Sequence, residues 1–211
     1  MALATKGVAP KTPLPVLILA AQLLDVLWGI FLMAGFEHAS IEPGFTAVSP
    51  LNLYDFPYSH SLAAALVWAA VFGGAYFFIQ GDSWGGWAVA ALVLSHWVLD
   101  FIVHRPDLLL FPGGTEPFGY YLWNSVKQTL LVEGAIFFLG IVFYLGTTRA
   151  TDLTGSLSFW ALMLLLGLLW LGSIYGPPPP SMTVVAVTTL AGFFVILLWT
   201  WWIERHRIAH S

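Results

Sequence analysis

The chain has no cysteine. Disulfides, thiolate metal ligands and cysteine nucleophiles are therefore excluded, and any metal site must be built from His, Asp and Glu. Charge is almost as scarce. Only 9% of the 211 residues are charged, against about 25% in a typical soluble domain. The net charge is -4 and the few basic residues do not cluster, which argues against nucleic acid as a partner. An internal repeat and a separate polar domain are also missing. What fills the chain is apolar: 59% of residues are hydrophobic. This is the composition of an integral membrane protein, with the lipid bilayer as its first partner.

At roughly 20 apolar residues per crossing, six spans can be drawn. They are 14–36, 60–80, 84–104, 120–146, 156–175 and 182–203. The expected fold is all-α, a polytopic membrane helix bundle in one transmembrane domain over 1–211. Pro106 ends the third span. Pro177 to Pro180 form a stiff connection between the fifth and sixth. The first 13 residues are polar, with Lys6 and Lys11, and no small-residue cleavage site follows the first apolar run. That run is read as a retained helix. Six spans put both termini on one side. That side holds Lys6, Lys11, Arg149, Arg205 and Arg207, while Arg105 stands alone in the loops of the other. By the positive-inside rule both termini are expected to be cytoplasmic. Loops 37–59 and 105–119 then face outward, to the periplasm or exterior of a bacterial inner membrane.

The most informative feature lies in the third span. His96, Asp100 and His104 are set four apart in an otherwise apolar run. Residues four apart share one face of a helix. Ionisable groups in a span are costly, by about 2.5–3.5 kcal/mol or more for a charged one at the centre. Three on one face point to a joint use.

Other spans carry polar residues at the same depth. His60 opens the second span at the outer surface. Asn124, Lys127 and Gln128 fall in the outer half of the fourth, with Glu133 near the midplane. Asp25 follows Gln22 near the middle of the first. Such a distribution is expected if four helices enclose a hydrated cavity open to the outside, with the fifth and sixth acting as packing. His60, His96, Asp100 and His104 have the donor chemistry for a divalent metal, zinc in particular. Two turns separate His96 from His104, so one helix cannot easily direct both to one ion. A two-metal stripe, or Asp100 sharing one ion with a flanking His, fits the spacing better. Glu133 and Asp25 are candidates for taking a proton from an activated water. Lys127 is a candidate for stabilising an oxyanion or a phosphate. Plainer roles stand beside these. Asp100 can partner a buried His, Asp25 can pair with Lys127, His104 can reach to headgroups, and Ser59 can cap the helix that His60 opens. His38, His206 and His210 read as surface groups. Gly73-Gly74 and Gly85-Gly86 read as helix-packing positions.

Two segments resemble a known group. Pro57-Tyr58-Ser59-His60-Ser61-Leu62 opens one helix, and Leu94-Ser95-His96-Trp97-Val98-Leu99-Asp100 lies on the next. The pair is similar to elements of the bacterial inner-membrane metal-dependent hydrolases, often labelled LexA-binding membrane-associated hydrolases. The resemblance covers residues 57–108 and implies that His60, His96 and Asp100 are metal ligands. The His-x-x-x-Asp element is also similar to one in the zinc-dependent phospholipase C and P1 nuclease group, which implies a phosphoester or lipid substrate. That family often bears a His near the N-terminus. The first 37 residues here have none, and Asp25 stands as the substitute. The expected function is thus a membrane-embedded metal-dependent hydrolase acting on a small molecule or lipid. The competing expectation is a transporter or proton/ion pathway using the same stripe.

Overall fold

The computed structural model describes residues 1–209, and His210 lies outside them. The chain runs α1 (Ala2–Val8), α2 (Leu14–Ala21), α3 (Leu23–Ala34), β1 (His38–Ile41), β2 (Leu51–Asp55), α4 (Pro57–His60), α5 (Leu62–Gln80), α6 (Ser83–Val103), α7 (Val126–Thr147), β3 (Thr148–Ala150), α8 (Leu153–Tyr175), α9 (Met182–Arg205) and β4 (Arg207–Ala209). A 3-10 turn, Leu122–Asn124, precedes α7. Helices dominate. Five of them, α5 to α9, are long and apolar enough to cross a membrane, and α2 with α3 pass the same test as a bent pair. The expected six spans are thus present as helices, with one of them broken.

That break corrects the first expected span. Residues 14–36 do not form one straight helix: α2 and α3 meet at 60° around Gln22. Neither Pro nor Gly stands there, since residues 20–24 read Ala-Ala-Gln-Leu-Leu. Sharp kinks otherwise arise where a side chain enters the backbone ladder. Here the His96 ring does so, with its Nδ1 2.7 Å from the Ala21 carbonyl oxygen. Other boundaries shift for capping reasons. The second span begins at Leu62, because the Ser61 hydroxyl accepts from the Ala64 amide. Ser59 is therefore not its cap. The fourth helix begins at Val126, capped by Ser125. Asn124 thus sits in the preceding turn and not on α7. His104 ends α6 as its cap residue in extended conformation.

Small residues and apolar stripes set the packing. On α6 the buried stripe runs Val89, Leu92, Val93, His96, Asp100, so the helix spacing that buries valine also buries the polar pair. It packs on Leu17, Leu24, Ala65 and Ala69 of α2, α3 and α5. Gly73 of α5 lies against Gly86 of α6, and a Cβ on Gly73 would stand 2.7 Å from the Gly86 carbonyl oxygen. A second core, with Tyr144, Phe159, Leu162 and Ile203, joins α7, α8 and α9.

The two ends of the bundle differ. At one end Lys6 pairs with Glu204, whose other oxygen accepts from the Leu14 amide. There β3 pairs with β4, and buried Arg207 donates to Thr148 and the Gly155 carbonyl. At the other end the expected loop 37–59 forms an antiparallel hairpin, β1 with β2. Loop 105–119 lies beside it, and its Leu109 and Leu110 carbonyls accept from the first amides of α5. These are donors the helix itself leaves unpaired.

Candidate metal centre

The histidines and acids meet at the hairpin end, where α3, α4 and α6 converge. The α2–α3 break places Asp25 in the first turn of α3, where the helix dipole favours a carboxylate. The short helix α4 presents His60, whose carbonyl accepts from the Trp97 indole of α6 at 2.9 Å. His96 and Asp100 project from α6 one turn apart.

The geometry is convergent. Asp25 Oδ1 lies 3.6 Å from both His60 Nε2 and His96 Nε2. Asp100 Oδ2 lies 3.6 Å from His60 Nε2 and 3.2 Å from His96 Nε2. The donor atoms of Asp25, His60 and His96 all fall within 4.8 Å of one another. The two imidazoles are edge to face, with centroids 5.5 Å apart.

The other ring nitrogens decide the tautomer each neutral ring adopts. His96 Nδ1 faces a carbonyl oxygen, which only accepts, so Nδ1 carries the proton. His60 Nδ1 lies 2.7 Å from Ser59 Oγ, and that hydroxyl donates to Glu37 Oε2 at 2.6 Å. The hydroxyl proton is thus committed to the carboxylate, and His60 Nδ1 must donate. Glu37 is fully buried at 0% exposure and also accepts from the Tyr58 and Ser59 amides. With both rings neutral, Nε2 is the lone-pair nitrogen of each. Four lone-pair atoms, two nitrogens and two carboxylate oxygens, face one point. The arrangement is repulsive unless positive charge fills it. Asp100 Oδ2 is moreover buried with no hydrogen-bond partner. Nitrogen and oxygen donors, outer hydrogen bonds fixing each ring and an orphaned carboxylate oxygen together fit a divalent cation.

His104 stands beside this group. Its Nε2 is 4.0 Å from Asp100 Oδ1, and its Nδ1 is 3.1 Å from Asp107 Oδ1. It is outside the mutually close set of donors, as two turns of separation from His96 imply. Asp25, read as either a base or a ligand substitute, stands among the donors. Its suggested pairing with Lys127 is not found: Asp25 faces the histidines, and Lys127 is exposed on α7 and lines none of the cavities around the site. Glu133 is elsewhere on the same wall. Its carboxylate accepts from the Trp123 indole at 2.9 Å and from the Trp170 indole at 2.7 Å. The fifth expected span therefore does more than pack, since Trp170 lies on α8. His38 pairs with Asp55 across the β1–β2 hairpin, and His206 pairs with Asp152 at the other end of the bundle.

Two cavities reach the cluster. A cleft of about 500 Å³ runs between α6 and α7, touching Asp25, His96, Asp100, His104 and Glu133, with walls such as Leu99, Ile136 and Leu166. Asp25 is the most open of the donors, 37% exposed, because it lines this cleft. A second cavity of about 360 Å³ opens among the loops at Asp55, Arg105 and Asp107 and reaches His60.

Sequence reasoning did not find Glu37, Ser59 as a relay, Asp107, Trp123 or Trp170. Glu37 was visible only as one of three acids in a polar loop. A burial signal was lacking because it comes from chain remote in sequence. Comparison with family models, curated proteins and solved structures gave no match for this chain.

Proposed function

We propose that the protein is a membrane-embedded, metal-dependent hydrolase. One observation carries the reading: His60 Nε2, His96 Nε2, Asp25 Oδ1 and Asp100 Oδ2 converge on one point, while Nδ1 of each ring is held by a partner behind it. Asp25, His60 and His96 would hold the ion, leaving a further position open, as in catalytic zinc sites. A bound divalent ion supplies Lewis acidity and makes water a better nucleophile near neutral pH. Asp100 Oδ2 has no hydrogen-bond partner and borders the three donors that would hold the ion, so it would accept the proton that the attacking water gives up. Asp100 Oδ1 faces His104, which is held by Asp107 at the edge of the loop cavity. That line of groups offers the proton a way out. Water adds across an ester, the bond to the leaving oxygen breaks, and that oxygen takes up a proton. The resemblance at residues 57–108 favours a phosphoester or lipid ester. The excess of Lys and Arg at the opposite end of the bundle supports a site facing the periplasm or exterior of a bacterial inner membrane.

The test is elemental analysis of the detergent-purified protein beside His96→Ala. About one transition-metal equivalent per chain is expected in the wild type and little in the variant. Phosphodiester or phospholipid hydrolysis should stop with chelator and return with zinc. Wild-type protein that holds no transition metal would sink the reading.

The break between α2 and α3 at the site favours a second reading. Discontinuous helices also build cation sites in transporters. A proteoliposome cation flux that His96→Ala abolishes, with no hydrolysis, would select it.

A further inference from the structure

We infer that the Glu133 end of the α6–α7 cleft is an ammonium subsite, and that the occupant of the cleft is a lipid with a positively charged amine in its headgroup. The word substrate for that lipid rests on the proposed function; the binding itself does not.

Three observations carry this. The first is the shape and lining of the cleft. It opens between two membrane-spanning helices, and its walls are Ile18, Leu99, Ile136, Phe137 and Leu166. An acyl chain is the group that such walls suit. The second is an uncompensated carboxylate. Both Glu133 oxygens accept from indoles, which bring hydrogen bonds but no positive charge. Among the described residues no basic nitrogen forms an ion pair with Glu133. A carboxylate in a span is costly without a counter-charge. The other acids of the cleft, Asp25 and Asp100, already face histidines. Glu133 alone is left for a cation carried by the occupant; it is only partly buried, lining both this cleft and a loop-side cavity at Ser49 and Pro177. The third is placement. The Trp123 ring lies 4.6 Å from the His104 ring, while its Nε1 donates to Glu133. One indole thus separates the amine subsite from the His/Asp cluster. Glu133 and the His/Asp cluster line the same cleft. Charge-assisted hydrogen bonding to a carboxylate fixed by two indoles favours a charged amine over a neutral or anionic headgroup.

The test measures binding, not turnover. Short-chain phosphatidylethanolamine and phosphatidylglycerol are titrated into the detergent-purified full chain, with bound lipid counted by native mass spectrometry. The ethanolamine lipid should bind about tenfold more tightly or better. Glu133→Gln should remove that preference and leave metal content unchanged. Trp170→Phe deletes one indole donor and should weaken the preference; it serves as the deciding variant if Glu133→Gln does not fold. Methylammonium, which keeps the N–H donors and has no tail, should compete poorly. Equal affinity for the two lipids, or a preference that survives in the folded variant, overturns the inference. Competition by methylammonium as strong as that of the lipid overturns the assignment of a lipid. Metal-free protein with an intact amine preference would instead remove the hydrolase reading and leave this one standing.

Discussion

Ser59→Ala isolates the hydrogen-bond relay behind the cluster. The Ser59 side chain is fully buried. Its hydroxyl accepts from His60 Nδ1 at 2.7 Å and donates to Glu37 at 2.6 Å. Removing it leaves a buried imidazole N–H without an acceptor, which costs about 1–3 kcal/mol. Glu37 keeps its two backbone donors, the Tyr58 and Ser59 amides, so α4 should hold its shape. The loss therefore falls on the orientation and tautomer of His60. Loss of such an outer partner typically lowers metal affinity about 10–100-fold, or about 1.4–2.8 kcal/mol. The two ranges agree. The assay is competition for zinc against a chromophoric chelator in detergent, with thermal unfolding of the metal-free protein run alongside. Ser59→Thr restores a hydroxyl and should recover most of the affinity. A folded Ser59→Ala protein that binds zinc within about twofold of wild type would refute the relay. So would a lower unfolding temperature without any change in affinity, because the serine would then serve only the fold.

Two further substitutions probe the scaffold. Lys6→Met removes the buried partner of Glu204, whose side chain is 28% exposed. A loss of about 3 kcal/mol is expected, at the low end for a broken buried pair because of that exposure. Thermal unfolding should show it, and adding Glu204→Leu should return part of it; an unchanged transition would remove the pair from the account. Gly73→Ala places a Cβ 2.7 Å from a backbone oxygen of α6. Helix backbones cannot step aside as a flexible side chain can, so about 1–3 kcal/mol should be lost. A variant as stable as wild type in the same detergent would show that α5 and α6 are packed more loosely.

The site was partly legible before any coordinates. His96 and Asp100 could be paired because a helix repeats every 3.6 residues, and that geometry is local. The same rule marked His104 as the member set apart from His96. Asp25 was harder. Its place beside His60 depends on the turn of α3 away from α2, and no residue at 20–24 announces a break. The group that occupies the Ala21 carbonyl comes from His96, 75 residues along the chain. Lys127, in the outer half of the fourth span, and Glu133, near its midplane, are both site candidates by depth, yet one is exposed and the other lines the cleft. Depth along an axis does not tell which way a side chain turns.

The sequence by itself determined that this is a membrane protein of about six spans, with an all-helical body and a polar stripe on the third. Hydropathy and helix spacing are properties of neighbouring residues, so they need no fold to be read. The tertiary structure decided which polar groups share a point. Glu37 became fully buried, Ser59 became a link to His60, and Trp170 of α8 came to hold Glu133 of α7. The Ser59–Glu37 and Trp170–Glu133 contacts join residues 22 and 37 apart along the chain, and only packing sets the distances across which hydrogen bonds and metal ligation act.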